Sequence, residues 1–416
     1  MNELHNNIIL KNKSIIEPIL ELYRGKIYCQ IIKFFINIVT ENLGTEIFCI
    51  KKSYPRTLTN LLSSWMFTLY SFSTNNIDPF FPDFFNNMEP LKITLLDFCK
   101  YENQDKNYET IIDLILKNFL DFIINQINIL DKYKISQFYL NSKNDYKIYK
   151  NKIIQKRYNL DVNFYKFQIS VSFNIKDKRL INILKNILLP IDVYDNLSKN
   201  YNGNIKDIDT LILIIIFRYQ LLGSNNYQLG VLPKIINKMN KDYNLNFECF
   251  ASSINASFKN YCSIYYDIEK FFGSKGNFFD INLIEGSYGF NPPYQKNIID
   301  NSIKKVFILL KNAHDNNKKL TFIMTIPVWD KEGQDSINQQ NKIDYGEFEI
   351  IKEIKTSVYF IGIRIILKDK FTYIDHNFKL YKNKTIQNTY IIMLSSDPCM
   401  NFNKINNYDF MIDDAT

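Results

Sequence analysis

The chain has 416 residues, 46% of them hydrophobic and 23% charged, with a formal net charge of +8. This balance excludes a disordered or fibrous protein, and the length allows more than one domain. The longest unbroken apolar run, residues 211–217, is too short to span a bilayer, and the three histidines (His5, His314 and His376) lack the spacing of a metal site.

The surplus of lysine is compatible with an anionic partner, although spread over this length it is a weak field. Abundant Asn, Ile, Lys and Tyr point to an AT-rich coding genome, which enriches these residues whatever the function. Cys29, Cys49, Cys99, Cys249, Cys262 and Cys399 show no C-x-x-C spacing. They read as reduced thiols of an intracellular protein. The polar residues 1–13 give no sign of a leader peptide, and neither a membrane nor a metal ion is expected as a partner.

The first half reads as mainly helical. Residues 14–40 place Ile15, Ile19, Leu20, Ile27, Ile31, Phe35 and Ile36 on one face, with Gly25 as a candidate interruption. Residues 58–72 and 110–130 repeat the pattern. Between them residues 75–90, rich in Pro, Asn and Phe, read as an ordered connection that packs aromatics. Residues 132–158 interleave lysine with tyrosine. Such a stretch suits a nucleic-acid track, but a solvated helix or loop with coding bias is preferred. Residues 164–173 alternate as a strand does, and residues 179–189 read as a short helix.

From about residue 205 the pattern becomes alternating α/β. Helices are predicted over 207–222 and 232–243, the second entered through Pro233. A strand over 245–249 leads into a turn of small residues and a helix from Asn255. A strand over 280–284, a loop over 285–290 and a helix over 297–311 follow. Further strands are expected over 321–326, 358–367 and 389–394. The organisation predicted is a helical domain over 1–200, an α/β domain over 201–400 and a tail over 401–416.

The most informative residues are Asn291-Pro292-Pro293-Tyr294. An exocyclic adenine amine is a poor nucleophile because its lone pair is delocalised into the ring. The Asn291 side-chain oxygen and the Pro292 carbonyl can both accept hydrogen bonds from such an amine and favour a tetrahedral nitrogen. Pro292 and Pro293 restrict the backbone. Tyr294 offers a ring to stack on the base, a task that needs the ring rather than the hydroxyl. The motif therefore points to an amino-methyltransferase using S-adenosyl-L-methionine. The bland alternative is a surface turn, since Asn-Pro-Pro favours extended backbone. Placement at the carboxyl end of a strand favours the catalytic reading.

The region from Arg218 to about Pro398 resembles the phosphorylated-CTD-interacting-factor family of cap-specific adenosine-N6 methyltransferases. The resemblance rests on ordered motifs: Leu229-Gly230-Val231-Leu232-Pro233, Phe247-Glu248-Cys249-Phe250-Ala251-Ser252 with Asn255, and Tyr261-Cys262-Ser263. It continues through Phe272-Gly273-Ser274-Lys275-Gly276, then Gly286-Ser287 with Asn291 to Tyr294. Phe322 to Trp329, Asn388-Thr389 and Asp397-Pro398 complete it. Ser253 stands where the family has Pro, Lys275 where it has Arg, Val328 where it has Glu, and Tyr294 where animal members have Phe. The resemblance implies a Rossmann-like class I methyltransferase domain preceded by a mainly helical domain. The implied reaction methylates N6 of the adenosine next to the 7-methylguanosine cap of mRNA.

Glu248, Phe250, Ala251, Ser252 and Gln228 are the candidates to hold the cofactor, with its carboxylate at the start of the helix from Asn255. Arg24, Arg56 and Lys275 are candidates for the cap phosphates, with plain surface charge as the alternative for each. Trp65 and Trp329 are the only tryptophans and neither sits in a short two-tryptophan unit. The family's WW domain is therefore expected to be missing, and direct binding of the polymerase tail is not expected. Location in a nucleus, a cytoplasm or, for the genome of a large DNA virus, a viral factory follows from the implied substrate. Methylation of DNA or internal RNA, methylation of protein glutamine, and an inactive RNA-binding homologue stay open as alternatives.

Overall fold

The computed structural model describes residues 18–48, 54–72, 88–102, 108–135, 146–156, 163–173, 187–204, 207–222, 229–329, 349–375, 380–381 and 388–411. The chain forms two compact units, one of Met1–Ile191 with Gly203–Ser224 and one of Asp192–Asn202 with Asn225–Thr416.

In the first unit helices α1 (Pro18–Phe48), α2 (Tyr54–Phe72) and α4 (Glu109–Ile135) carry the expected apolar faces, and α3 (Glu89–Glu102) is a helix that was not predicted. Helix α1 packs against α2 and α4. Phe34 stacks on Phe122 with centroids 4.0 Å apart, and Phe35 meets Phe119 at 5.0 Å. Strands β1 (Tyr146–Lys156) and β2 (Asn163–Phe173) pair antiparallel from Tyr146↔Phe173 to Lys156↔Asn163, and β3 (Ile187–Pro190) pairs with β2. The lysine- and tyrosine-rich stretch is thus a strand over 146–156, not a helix or loop. Its β-branched and aromatic residues favour the extended state, and pairing with β2 supplies the long-range hydrogen bonds that local spacing cannot reveal. Residues 187–189, expected to end a helix, are strand for the same reason. Residues 75–87, 136–145, 157–158 and 179–186 lie outside the described residues.

After α5 (Ile191–Asn200) of the second unit, α6 (Ile208–Leu221) returns to the first. The apolar run 211–217 is buried along its whole length within α6. A helix apolar all round must be covered all round. Gly25 does not interrupt α1. It permits α6 to cross closely: a Cβ there would lie 2.5 Å from Phe217 Cζ and 2.9 Å from Leu221 Cδ1. One turn away, the Glu21 carboxylate accepts bonds from Arg218 Nη2 at 2.7 Å, Arg218 Nε at 3.1 Å and Arg24 Nη1 at 2.7 Å.

The second unit begins with β4 (Gly230–Val231), α7 (Pro233–Tyr243), β5 (Leu245–Glu248), β6 (Asn260–Tyr261) and the single turn α8 (Tyr266–Glu269). Strand β7 (Gly286–Phe290), α9 (Lys296–Asp315), β8 (Leu320–Pro327), α10 (Ile350–Thr356) and β9 (Phe360–Ile366) follow. The unit ends with β10 (Tyr373–Ile374), β11 (Leu380–Tyr381), β12 (Thr389–Ser395) and α11 (Asn403–Asn406). Its main sheet has the order β6-β5-β7-β8-β12-β9. The first four strands are parallel, and β12 runs antiparallel between β8 and β9. A second sheet has the order β11-β10-β4. The fold class is mixed α/β, a Rossmann-like sheet in a chain with a helical amino-terminal region.

Every residue of β8 and β12 is buried. Phe322, Met324, Tyr390 and Ile392 join Ile299, Ile303, Val306 and Leu310 of α9 on one face. Ile323, Ile391 and Met393 join Ile235, Ile236 and Met239 of α7 on the other. Strand alternation explains the division, and two covered faces explain why these strands read as continuous apolar runs. Phe402, Ile405, Tyr408 and Phe410, set apart in the sequence as a tail, pack into the second face. Arg364 Nη1 holds them by donating to the Ile405 and Tyr408 carbonyls at 2.8 and 2.9 Å.

Two expectations fail here. Residues 280–284 are not a strand; β7 comprises the Gly286–Phe290 segment expected to be a loop. Small residues read locally as a turn, yet here they carry a backbone hydrogen-bonded to β5 on one side and β8 on the other. No helix starts at Asn255 either, where Ser252 and Asn255 close a turn that runs on to β6. Among the described residues no helix is long and apolar enough to cross a membrane.

The buried triad sets the first prediction. Glu21, Arg24 and Arg218 are 1%, 2% and 1% exposed, so removing the carboxylate takes the opposite charge away from two guanidinium groups in the core. Glu21→Ala is expected to lower unfolding free energy by about 3–5 kcal/mol. Urea denaturation measures it, and a loss below about 1 kcal/mol, that of a surface pair, would contradict the assignment.

Candidate active site at the switch point of the sheet

Strand β5 sends the chain outward to β6 on one side, while β7 lies on its other side. In open α/β sheets the crevice at the carboxyl ends of such diverging strands receives ligands. Glu248 ends β5, and Asn291 follows directly on β7. The register error at β7 therefore leaves the motif where it was expected, at the carboxyl end of a parallel strand.

Asn291 Nδ2 donates to the Leu229 carbonyl at 3.1 Å. A carbonyl can only accept, so the amide nitrogen must face Leu229 and Oδ1 must face away. Among the described residues nothing donates to Asn291 Oδ1 or to the Pro292 carbonyl. Pro292 is buried, and the Pro293 carbonyl takes the Gln295 N–H at 2.7 Å. The Gln295 carbonyl then takes the Ile299 N–H at 2.9 Å, which ties the motif to the first turn of α9.

The half-buried Tyr294 meets Trp329 edge-on at 6.2 Å and 77°, and Tyr373 at 6.4 Å and 84°. Its hydroxyl lies 2.6 Å from the Tyr373 hydroxyl, which lies 2.8 Å from Thr389 Oγ1. Burial, and secondarily Tyr373, hold the Tyr294 phenol well above the ordinary tyrosine range, so it stays neutral. The hydroxyl, for which stacking has no use, is a member of a hydrogen-bonded chain.

The residues after β5 differ from a phosphate- or carboxylate-cradling loop. The N–H groups of Cys249, Ala251, Ser252 and Ser253 are taken by the Gly289 carbonyl, the Cys262 carbonyl, Asn255 Oδ1 and Glu269 Oε1. Ser252 is buried and its hydroxyl donates to Asn255 Oδ1 at 2.9 Å. With no helix behind it and these donors consumed, the turn does not offer the anion site inferred from its small residues. Phe250 packs at 4.9 Å from Phe278 and 5.2 Å from Phe290, at the edge of the core.

Glu248 is the titratable group of the crevice. Burial pushes its carboxyl up to about 7, against the lowering effect of the Ser257 and Phe258 N–H groups. Its Oε2 accepts from Ser257 N at 2.7 Å. The unit thus fits a nucleoside cofactor in the placement of its crevice and in this acceptor, but not in a glycine-rich cradle. Glu269, missed in the sequence, supports the turn from below. Its buried carboxylate accepts from the N–H groups of Ser253 and Tyr265 and from the Ser253 hydroxyl, at 2.7, 3.1 and 3.0 Å. A proline at 253 could not make the first of these bonds.

Of the cap-phosphate candidates, only Lys275 is an exposed residue of this unit, on the loop whose Ser274 bridges Tyr261 beside β6. Gly273, at φ +107°, shapes that loop, and a side chain there would overlap the Lys259 carbonyl. Arg24 is corrected: it is buried in the helical unit against Glu21. Arg56 lies in the first turn of α2, outside the residues whose side chains are described, and Gln228 lies outside the described residues altogether. Leu229, Tyr373 and Thr389 were not singled out as site residues. Leu229 and Thr389 stood in the ordered motifs, but Tyr373 is one of 28 tyrosines with no local signal.

A family model described as the phosphorylated CTD interacting factor 1 WW domain matches residues 191–362. This match overturns the expectation that the WW domain is missing, and with it the exclusion of polymerase-tail binding founded on that absence. A short two-tryptophan unit is not what carries the match. The matched span is far longer and contains Trp329 alone. Two curated relatives, from Homo sapiens and Mus musculus, are both named mRNA (2'-O-methyladenosine-N(6)-)-methyltransferase. They are 27% and 26% identical over 187 residues, which is 44% of this chain and 25% of each relative. The chain thus spans about a quarter of the length of the curated relatives it matches.

The pH dependence of stability follows from Glu248. Its folded carboxyl titrates at about 7 and an unperturbed one at 4.5, so between these values the folded state binds more protons than the unfolded. Its contribution to stability falls as pH rises through that window and is flat above it. Thermal unfolding from pH 4 to pH 8 should show that decline, and Glu248→Gln should flatten it; an identical slope in the variant would reject the assignment.

Proposed function

We propose that the α/β unit is an S-adenosyl-L-methionine-dependent methyltransferase acting on N6 of the adenosine next to the 7-methylguanosine cap of mRNA. One observation carries the reading: two acceptors, Asn291 Oδ1 and the Pro292 carbonyl, have no donor among the described residues and directly precede Tyr294 at the switch point. Two acceptors side by side suit an exocyclic amine, which brings two N–H donors, and repel a carbonyl oxygen at the same place. The names of the human and mouse relatives supply the mRNA, the adenosine and its N6, and the family resemblance of the ordered motifs supplies the cap.

The cofactor supplies an electrophilic methyl group when bound. Glu248 is the residue best suited to hold its polar part, with Phe250 and Ala251 bordering it. The chain's own residues prepare the amine. Bonds to Asn291 Oδ1 and the Pro292 carbonyl hold both amine hydrogens and turn the nitrogen lone pair out of conjugation. Tyr294 stacks on the base and fixes its plane. Neutral Tyr294 and the two carbonyl-type acceptors are not bases, so this group activates by orientation. Lys275 is the candidate contact for the cap triphosphate within this unit.

Tritiated methyl transfer to RNAs beginning with a cap, a triphosphate or a hydroxyl, and in parallel to DNA and to protein, tests the reading. Transfer confined to capped RNA that begins with adenosine is expected. Equal rates on the three RNAs would remove cap specificity, and transfer to DNA or protein alone would replace the substrate class. Asn291→Ala is expected to lower kcat about 100- to 1,000-fold, the usual cost of one preorganised hydrogen bond at a reacting centre. Near-normal turnover in a folded Asn291→Ala variant would make the motif a turn.

A further inference from the structure

We infer that the small sheet β11-β10-β4 is an orienting clamp for the Asn291–Tyr294 motif, and that Tyr373 is its key positioning residue. The inference rests on the proposed methyl transfer and extends it to residues distant in sequence.

The clamp holds the motif at both ends. Leu229, the residue before β4, takes the Asn291 amide nitrogen. Tyr373 of β10 takes the Tyr294 hydroxyl at 2.6 Å. The two holders belong to adjoining strands, since Val231 pairs with Tyr373 and Gly230 with Ile374. Asn291 without Leu229 could rotate its amide and present N–H groups to the substrate amine, a donor facing a donor. Leu229 thus decides which atom of Asn291 reads the substrate, and β10 keeps Leu229 in place.

Tyr373 is itself anchored. Its hydroxyl is shared with Thr389 Oγ1 at 2.8 Å, at the first residue of the fully buried β12. Its ring lies 4.3 Å from Phe371 and is 2% exposed. The neighbouring Asn388 carbonyl accepts the Val328 N–H at 3.0 Å, next to Trp329, whose ring stands across that of Tyr294. The Tyr294 ring is therefore held between Trp329 and Tyr373 and by its hydroxyl. Both fixed points trace to residues 388–389, at the start of a fully buried strand. A stacking ring that cannot swing loses little entropy when the base arrives.

The test is a double-variant cycle with Tyr373→Phe, Tyr294→Phe and the pair, in the full chain. Each single change keeps its ring and removes one hydroxyl of the shared bond. Either one is expected to lower kcat about 5- to 10-fold, the effect of one neutral hydrogen bond, with KM for S-adenosyl-L-methionine unchanged. The pair should lose about as much as one single variant rather than the product, because each hydroxyl acts through the other. Unchanged kcat in Tyr373→Phe, or independent losses that multiply, would overturn the clamp while wild-type transfer keeps the functional reading intact. A fall in cofactor affinity equal to the fall in kcat would mark Tyr373 as merely structural and overturn it too. A wild-type protein that methylates no acceptor would sink the functional reading and the clamp together.

Discussion

The pairing of β7 with β5 on one edge and β8 on the other is the constraint from which the chemistry follows. Five residues, Gly286 to Phe290, leave no room for the strand to slip without losing ladder bonds on both sides. Asn291 is thereby delivered to the point where β5 and β7 diverge. The same short strand explains why proline can follow at once: β7 has ended, and Pro292 and Pro293 no longer need to donate to a ladder.

Around that point, polar groups are spent with economy of direction. Asn291 gives its nitrogen to Leu229 and keeps its oxygen open. Tyr294 shares a hydroxyl–hydroxyl bond with Tyr373. By contrast, Ser252 spends backbone and hydroxyl donors on Asn255 inside its own turn, and Ser253 spends both on Glu269. The difference separates residues that can meet a ligand from residues that shape the wall behind it. Residue type alone does not make that distinction, because serine and asparagine serve in both groups. Cys249 and Cys262 belong to the wall as well: both are buried, and burial pushes their thiols up, away from the reactive thiolate form.

Charge is distributed on the same logic. The +8 surplus suits an anionic partner in general, yet the arginine that drew attention in the helical half, Arg24, is packed against Glu21. A guanidinium placed beside a buried carboxylate satisfies a fold before it serves a ligand. Lys275 retains an exposed position on a loop shaped by Gly273.

The helices α1, α2 and α4 of the first half, the strands β5, β8, β9 and β12 and the helices α7 and α9 were legible because burial on one face or on both imposes a repeat on neighbouring residues. The Asn291–Tyr294 motif was legible because its chemistry is local: an acceptor, two rigid residues and a ring in sequence. What only the tertiary structure decided is of the opposite kind. The strand nature of residues 286–290 and 146–156 depends on partners far along the chain, and the lost helix at Asn255 depends on which donors its side chain captures. The direction of the Asn291 amide depends on Leu229, and the fixing of Tyr294 depends on Tyr373 and Thr389. Periodicity reports the face a residue turns to the core; a hydrogen bond between distant residues leaves no periodic trace, so it is read only once the chain has folded.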